Sequence, residues 1–135
     1  MIEPHHPSPR LLIVDDALIM RMRIGTIARA AGWEVAGEAT DGAEGVARYR
    51  ELRPDLVTLD IVMPNLDGVA ALRAIRAEFP AARVVMVTAV DQRAQLAECI
   101  ESGALDFVVK PFDTERLSGM FAKYGLAIRH AGPPS

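Results

Sequence analysis

Short apolar runs alternate along the chain with longer stretches in which apolar residues recur at helical spacing. The runs are Leu11–Val14, Leu56–Leu59, Val84–Val87 and Phe107–Val109. Each has the length of a strand and is rich in β-branched side chains. None alternates apolar with polar, which predicts strands covered on both faces, as in a parallel sheet. A fifth run, Glu34–Ala39, is half polar and reads as an edge strand.

Helical patterns fill the intervals. Met20, Ile24, Ile27, Ala28 and Ala31 share one helix face, Arg21 and Arg29 fall outside it, and Gly32 supplies a stop signal. Val46, Tyr49 and Leu52 mark a second helix, ended by Pro54. Ala71, Leu72, Ile75 and Phe79 mark a third, ended by Pro80. Leu96, Ala97, Ile100 and Ala104 mark a fourth, with Gly103 near its end. Leu117, Phe121 and Tyr124 mark a fifth, opened by the cap candidates Asp113 and Thr114 and closed by Gly125. Five βα units in succession argue for an α/β fold, a doubly wound parallel sheet with helices on both faces. Residues 1–9 carry Pro4, Pro7 and Pro9 without periodicity and read as a loose arm. Residues 10–125 form the domain, and 126–135 a short tail.

Composition narrows the class. A chain of 135 residues fits one domain with a full-sized core, and 50% hydrophobic with 24% charged residues reads as globular. A net charge of -3 offers no bulk attraction to nucleic acid or to an anionic membrane. The lone cysteine, Cys99, excludes an internal disulfide and fits a reducing compartment. The N-terminus lacks the apolar core of a signal peptide, and no run is long enough to span a bilayer. The expectation is a cytoplasmic protein with no nucleic-acid or membrane partner. His5 and His6 sit in the arm without a third ligand and are read as incidental. Cys99 is read as a packing residue with no redox role.

In an open α/β sheet, ligands bind beyond the carboxyl ends of the strands. Here those ends carry Asp15 and Asp16, Asp60, Thr88 and Lys110. Each alone has an ordinary use: a helix cap, a turn, a strand hydroxyl, a snorkelling amine. Their arrival at one edge from four segments is what points to a site. Three carboxylates in one crevice repel, by ~4 kcal/mol for a pair at about 4 Å and an effective dielectric near 20. One lysine offsets only part of that, so the site takes a proton or a cation. Hard oxygen donors suit Mg²⁺, and the lack of His or Cys in these loops argues against zinc. Mg²⁺ beside a carboxylate, a lysine and a hydroxyl describes phosphoryl transfer, with Asp60 as nucleophile.

The blocks LLIVDD, LDIVMPNLDG, VVMVTA and DFVVKPF, in this order and spacing, resemble those of the response-regulator receiver domain, most closely the single-domain chemotaxis type. The resemblance covers about residues 10–125. It implies a flavodoxin-like (βα)5 sheet of strand order 2-1-3-4-5. It implies that Asp60 accepts a phosphoryl group from a sensor histidine kinase or a histidine phosphotransfer protein. Asp16 and Asp60 would bind Mg²⁺ through their side chains and Val62 through its backbone carbonyl, with Asp15 acting through a metal-bound water. Lys110 would contact the phosphoryl oxygens, and its bond to Pro111 would be cis. Thr88 would hydrogen-bond a phosphoryl oxygen, and Phe107, at the aromatic switch position, would turn inward as Thr88 moves. Modification would then repack the face made by the fourth helix, fifth strand and fifth helix, where a downstream protein binds. The protein would be monomeric or dimerise on phosphorylation, and would catalyse only its own phosphorylation and dephosphorylation.

Two departures stand out. The positions two beyond Asp60 and Thr88 are Val62 and Val90, where relatives that lose phosphate quickly carry polar groups that place the attacking water. Slow self-dephosphorylation is the expectation. A haloacid-dehalogenase-type phosphatase would need an acid in place of Val62, and a flavin module would need a hydroxyl- and glycine-rich loop in place of DDALIM. A relay intermediate, a phosphate sink and a degenerate receiver acting as a constitutive binding module remain open. The only tryptophan, Trp33, falls at the far end of the sheet from the acids.

Overall fold

The apolar runs become the sheet. In the computed structural model, which describes residues 7–131, the order is β1 (Arg10–Val14), α1 (Leu18–Ala30), β2 (Glu34–Ala39), α2 (Gly42–Leu52), β3 (Leu56–Asp60), α3 (Gly68–Glu78), β4 (Val84–Ala89), α4 (Arg93–Glu101), β5 (Asp106–Lys110) and α5 (Thr114–Ala131). The strands pair in the order β2-β1-β3-β4-β5, and every pairing is parallel. That is the flavodoxin-like arrangement expected.

The absence of alternation in the strands has its reason in two cores. Leu12, Val14, Val57, Leu59, Val84 and Met86 pack with residues of α2, α3 and α4. Their sequence neighbours Leu11, Ile13, Leu56, Val85 and Val87 pack with α1 and α5 on the other face. Successive strand side chains point to opposite faces, so a strand covered twice must be apolar throughout. β2 is the exception: as the edge strand it is exposed or half-buried except at Ala39, and its register with β1 shifts between Leu11 and Leu12.

Local chemistry bounds the helices, at Gly32 and Asp113 as expected. Gly32 takes φ 92° after α1. Asp41, Asp67 and Asp113 each accept a backbone N–H from three residues on, at the starts of α2, α3 and α5. Pro9 is tied to the fold, since its carbonyl accepts the Glu34 N–H at 2.9 Å. The rest of the arm through His6, with His5, and the tail from residue 132 lie outside the described residues.

Two expectations need correction. The inward face of α4 is not Leu96, Ala97, Ile100 and Ala104: Cys99 is fully buried, Leu96 and Ala104 pack partly, and Ile100 is 51% exposed. The helix has one shallow contact line, and the small thiol fits closest to the sheet. Gly125 does not close α5, which runs on to Ala131. A Cβ at Gly125 would come within 3.1 Å of Trp33 Nε1, which donates to the Phe121 carbonyl. Glycine here lets the indole approach the helix. Trp33 is buried just before β2, at the amino edge of the sheet. No helix among the described residues is long and apolar enough to cross a membrane.

Candidate functional site

Because all five strands are parallel, their carboxyl ends share one edge, and the strand order reverses between β1 and β3. Asp15 follows β1 directly and is 1% exposed; Asp16, next to it, is exposed. Asp60 is the last residue of β3 and is buried. One carboxylate oxygen from each of the three lies within 4.8 Å of the others. Lys110 ends β5, and its Nζ reaches over β4 to Asp15 Oδ2 at 3.1 Å and Asp60 Oδ2 at 3.3 Å. Its bond to Pro111 is cis. The structure therefore brings Asp15, Asp16, Asp60 and Lys110 together, with Thr88 buried near the end of β4.

The backbone around Asp60 is tightly held. A Cβ on Gly68 would collide with the Asp60 carbonyl oxygen, so α3 can begin this close only with glycine. The loop between them is fastened to α2: Leu66 accepts the Gly42 N–H at 2.9 Å, and Asn65 Nδ2 donates to Asp41 Oδ2 at 2.7 Å. Asn65 adopts φ 67°, a conformation asparagine tolerates. Val62, in the same loop, is exposed, as is Val90 beyond β4.

Burial pushes the Asp60 carboxyl above its ordinary range; Lys110 pulls it down, Asp15 pushes it up, and the net direction is upward. Burial would lower Lys110, but Asp60 and Asp15 outweigh it, and the amine stays firmly charged. The two directions are consistent. The lysine faces two anions, whereas Asp60 sits between one amine and the carboxylates of Asp15 and Asp16. Three carboxylates and one amine leave the crevice short of positive charge. Closely spaced hard oxygen donors with an exposed member, Asp16, fit Mg²⁺ and its retained waters.

Asp15 is already engaged, its Oδ1 accepting the Ala17 N–H at 2.8 Å and its Oδ2 the lysine. Phe107 is half-buried against the core that contains Met86. It borders a shallow cavity of about 330 Å³ with Val109, Pro111, Phe112, Asp113 and Arg116. Cys99 is no rival nucleophile, since burial pushes its thiol up to about 11.

Two neighbours of the site carried no sequence signal. Arg21 donates to the Asp15 carbonyl at 2.7 Å and to Glu38 Oε1 at 3.0 Å, fastening the end of β1 to β2. Gln92 accepts at its Oε1 from the Thr88 hydroxyl at 3.2 Å and from the Ala89 N–H at 2.9 Å. An arginine off the apolar face and a glutamine before a helix both read as solvated.

Comparison with known proteins adds a frame. Residues 11–122 match the response regulator receiver domain family. The chain is 49% identical over 108 residues to the chemotaxis protein CheY of Thermotoga maritima, covering 80% of this chain and 90% of that one. It is 47% identical to CheY of Bacillus subtilis, with the same coverage. Among solved structures it resembles the response regulator domain of Thermotoga maritima CheB, with TM-score 0.79 and 34% identity over 93% of this chain and 99% of that one. It also resembles a chain of the Borrelia burgdorferi CheX–CheY–BeF3–Mg²⁺ complex, with TM-score 0.78 and 31% identity over 88% and 87%.

Proposed function

The chain belongs to the response regulator receiver domain family, and from that premise we propose that it is a single-domain response regulator phosphorylated on Asp60. Two-component signalling and partner binding follow from the family. The phosphoacceptor, the donor and the switching face are our reading. The observation that carries it is the convergence of Asp15, Asp16 and Asp60 within 4.8 Å, with Lys110 bonded to two of them.

Asp16 and Asp60 would hold Mg²⁺ with the Val62 carbonyl, and Asp15 would act through a bound water. Bound there, the cation supplies positive charge to phosphoryl oxygens. The chain's own groups do the rest. The ionised Asp60 forms a new P–O bond while the P–N bond of a phosphohistidine donor breaks. The departing imidazole nitrogen keeps the electron pair and takes a proton from water. Lys110, held charged by its neighbours, neutralises the transferring oxygens. Thr88 donates a hydrogen bond from its hydroxyl to a phosphoryl oxygen, and half-buried Phe107 follows it inward.

The output face is α4, β5 and α5. Ile100, Leu105 and Val109 are exposed there at 51%, 44% and 37%, which supports a protein partner on that face. Incubation with acetyl phosphate, with and without Mg²⁺, followed by intact mass and peptide mapping, tests the reading. One phosphoryl group on Asp60 that requires Mg²⁺ is expected. No added mass would leave a degenerate receiver acting by constitutive binding.

The phosphoryl group should be long-lived, because Val62 and Val90, two residues beyond Asp60 and Thr88, are exposed and neither side chain can orient water. Introducing Val62→Asn and Val90→Glu together should speed loss of phosphate by about tenfold or more. An unchanged decay of purified phosphoprotein would count against this account. A slow decay favours partner binding over a phosphate sink.

A further inference from the structure

Thr88 is 1% exposed, so its hydroxyl needs a partner in every state of the site. It has one proton to give. The two acceptors in reach are Gln92 Oε1 at 3.2 Å and the Ala89 carbonyl at 3.3 Å, both at the junction of β4 and α4. The Gln92 atom is the amide oxygen rather than the nitrogen, because it also accepts the Ala89 N–H at 2.9 Å. One oxygen thus collects a buried hydroxyl and a backbone donor.

Gln92 also stands at the start of α4. Its own N–H donates to the Ala89 carbonyl at 3.0 Å, and its carbonyl accepts the Leu96 N–H at 3.0 Å. Side chain and backbone close a ring around Ala89 and Gln92. No side chain caps α4, Leu96 in its first turn packs only partly, and Cys99, near its other end, is its fully buried residue.

We propose that Gln92 is a positioning residue for phosphoryl transfer: its amide oxygen holds the Thr88 hydroxyl at rest and is exchanged for a phosphoryl oxygen when Asp60 is modified. The exchange frees the ring at the start of α4, which links the chemistry to the output face. This rests on the reading of Asp60 as phosphoacceptor and of Thr88 as donor to the phosphoryl group.

The resting bond competes with the activated state, so removing it favours activation. Gln92→Met keeps the length of the side chain and removes the acceptor; Gln92→Ala is the second variant. Beryllofluoride, a phosphoryl mimic, is titrated with Mg²⁺ into wild type, both variants, Thr88→Val and the double variants. Mg²⁺ alone is titrated into each as a readout of the acid cluster. Both Gln92 variants should bind beryllofluoride about three- to tenfold tighter than wild type. Their affinity for Mg²⁺ alone should stay within about twofold, and the gain should vanish in the Thr88→Val background. Equal or weaker binding by the Gln92 variants, or the same gain without the Thr88 hydroxyl, overturns the positioning role while leaving Asp60 as acceptor. A wild type that does not bind beryllofluoride at all overturns the phosphoacceptor reading, and this inference with it.

Discussion

Lys110→Ala should unfold at a markedly lower temperature in the presence of a chelator and recover most of the loss when Mg²⁺ is added. Lys110 Nζ lies 3.1 Å from Asp15 and 3.3 Å from Asp60, and both acids are buried. Removing one partner of a buried pair typically costs about 3–5 kcal/mol. Here proton uptake by Asp60, already pushed above its ordinary range by burial, limits the loss to about 2–3 kcal/mol. In a domain of this size that is a fall of roughly 10 °C. The sign with pH is set by the lysine, whose folded pKa lies above its ordinary value. Its contribution is whole below the ordinary lysine pKa and is lost only as pH rises through the higher folded value. The gap between wild type and variant should therefore persist through neutral pH and close in strong alkali. Added Mg²⁺ stabilises whatever it binds, so it should narrow the gap without replacing the amine in catalysis. Labelling by acetyl phosphate should still fall by about 10²–10³-fold. Melting scans with chelator and with Mg²⁺ decide it. Identical melting of the two proteins in chelator would show that the amine does not relieve the acid crevice.

The residues that were legible in the sequence share a property. Leu11–Val14, Leu56–Leu59 and Val84–Val87 are covered on both faces, and their composition alone records it. Asp15, Asp60 and Lys110 were legible because parallel strands bring every carboxyl end to one edge, whatever the loops do. What escaped depends on contacts no periodicity encodes. Ile100 looks like a core residue, but α4 rests on the sheet along a line through Cys99, and the isoleucine faces outward. Gly125 looks like a stop, but the same lack of a Cβ also admits Trp33 beside an unbroken helix. Arg21 reaches the Asp15 carbonyl only because β1 and α1 fold back on each other. Gln92 meets Thr88 through the particular path of the β4–α4 loop. Chemistry carried by strand ends is written in order and spacing, whereas chemistry carried by loops requires their conformation.

Asp60→Asn should be more stable than wild type in chelator and less stable than wild type in saturating Mg²⁺. Burial, together with Asp15, pushes the Asp60 carboxyl upward by more than Lys110 pulls it down. An acid with a raised folded pKa destabilises the fold when ionised. The penalty is absent below the ordinary aspartate range near about pH 4 and fully present above the raised folded value. An uncharged asparagine of the same shape removes it, so the variant's advantage should grow as pH rises through that window and then level off. Lys110 keeps a partner in Asp15, which protects the variant from a new unpaired charge. With Mg²⁺ the balance reverses. Loss of a carboxylate ligand should weaken Mg²⁺ by more than the roughly 10- to 100-fold that follows removal of an outer-shell partner. Wild type then gains stability from binding that the variant does not. Acetyl phosphate should add no mass to the variant, because the nucleophilic oxygen at residue 60 is now an amide. Thermal melts of both proteins across pH, with chelator and with Mg²⁺, would show two curves that exchange order. A variant less stable than wild type in chelator at neutral pH would mean that the lysine pairing outweighs burial and Asp15. The acid cluster would then be stable without a cation, and the electrostatic case for a Mg²⁺ site would lose its main support.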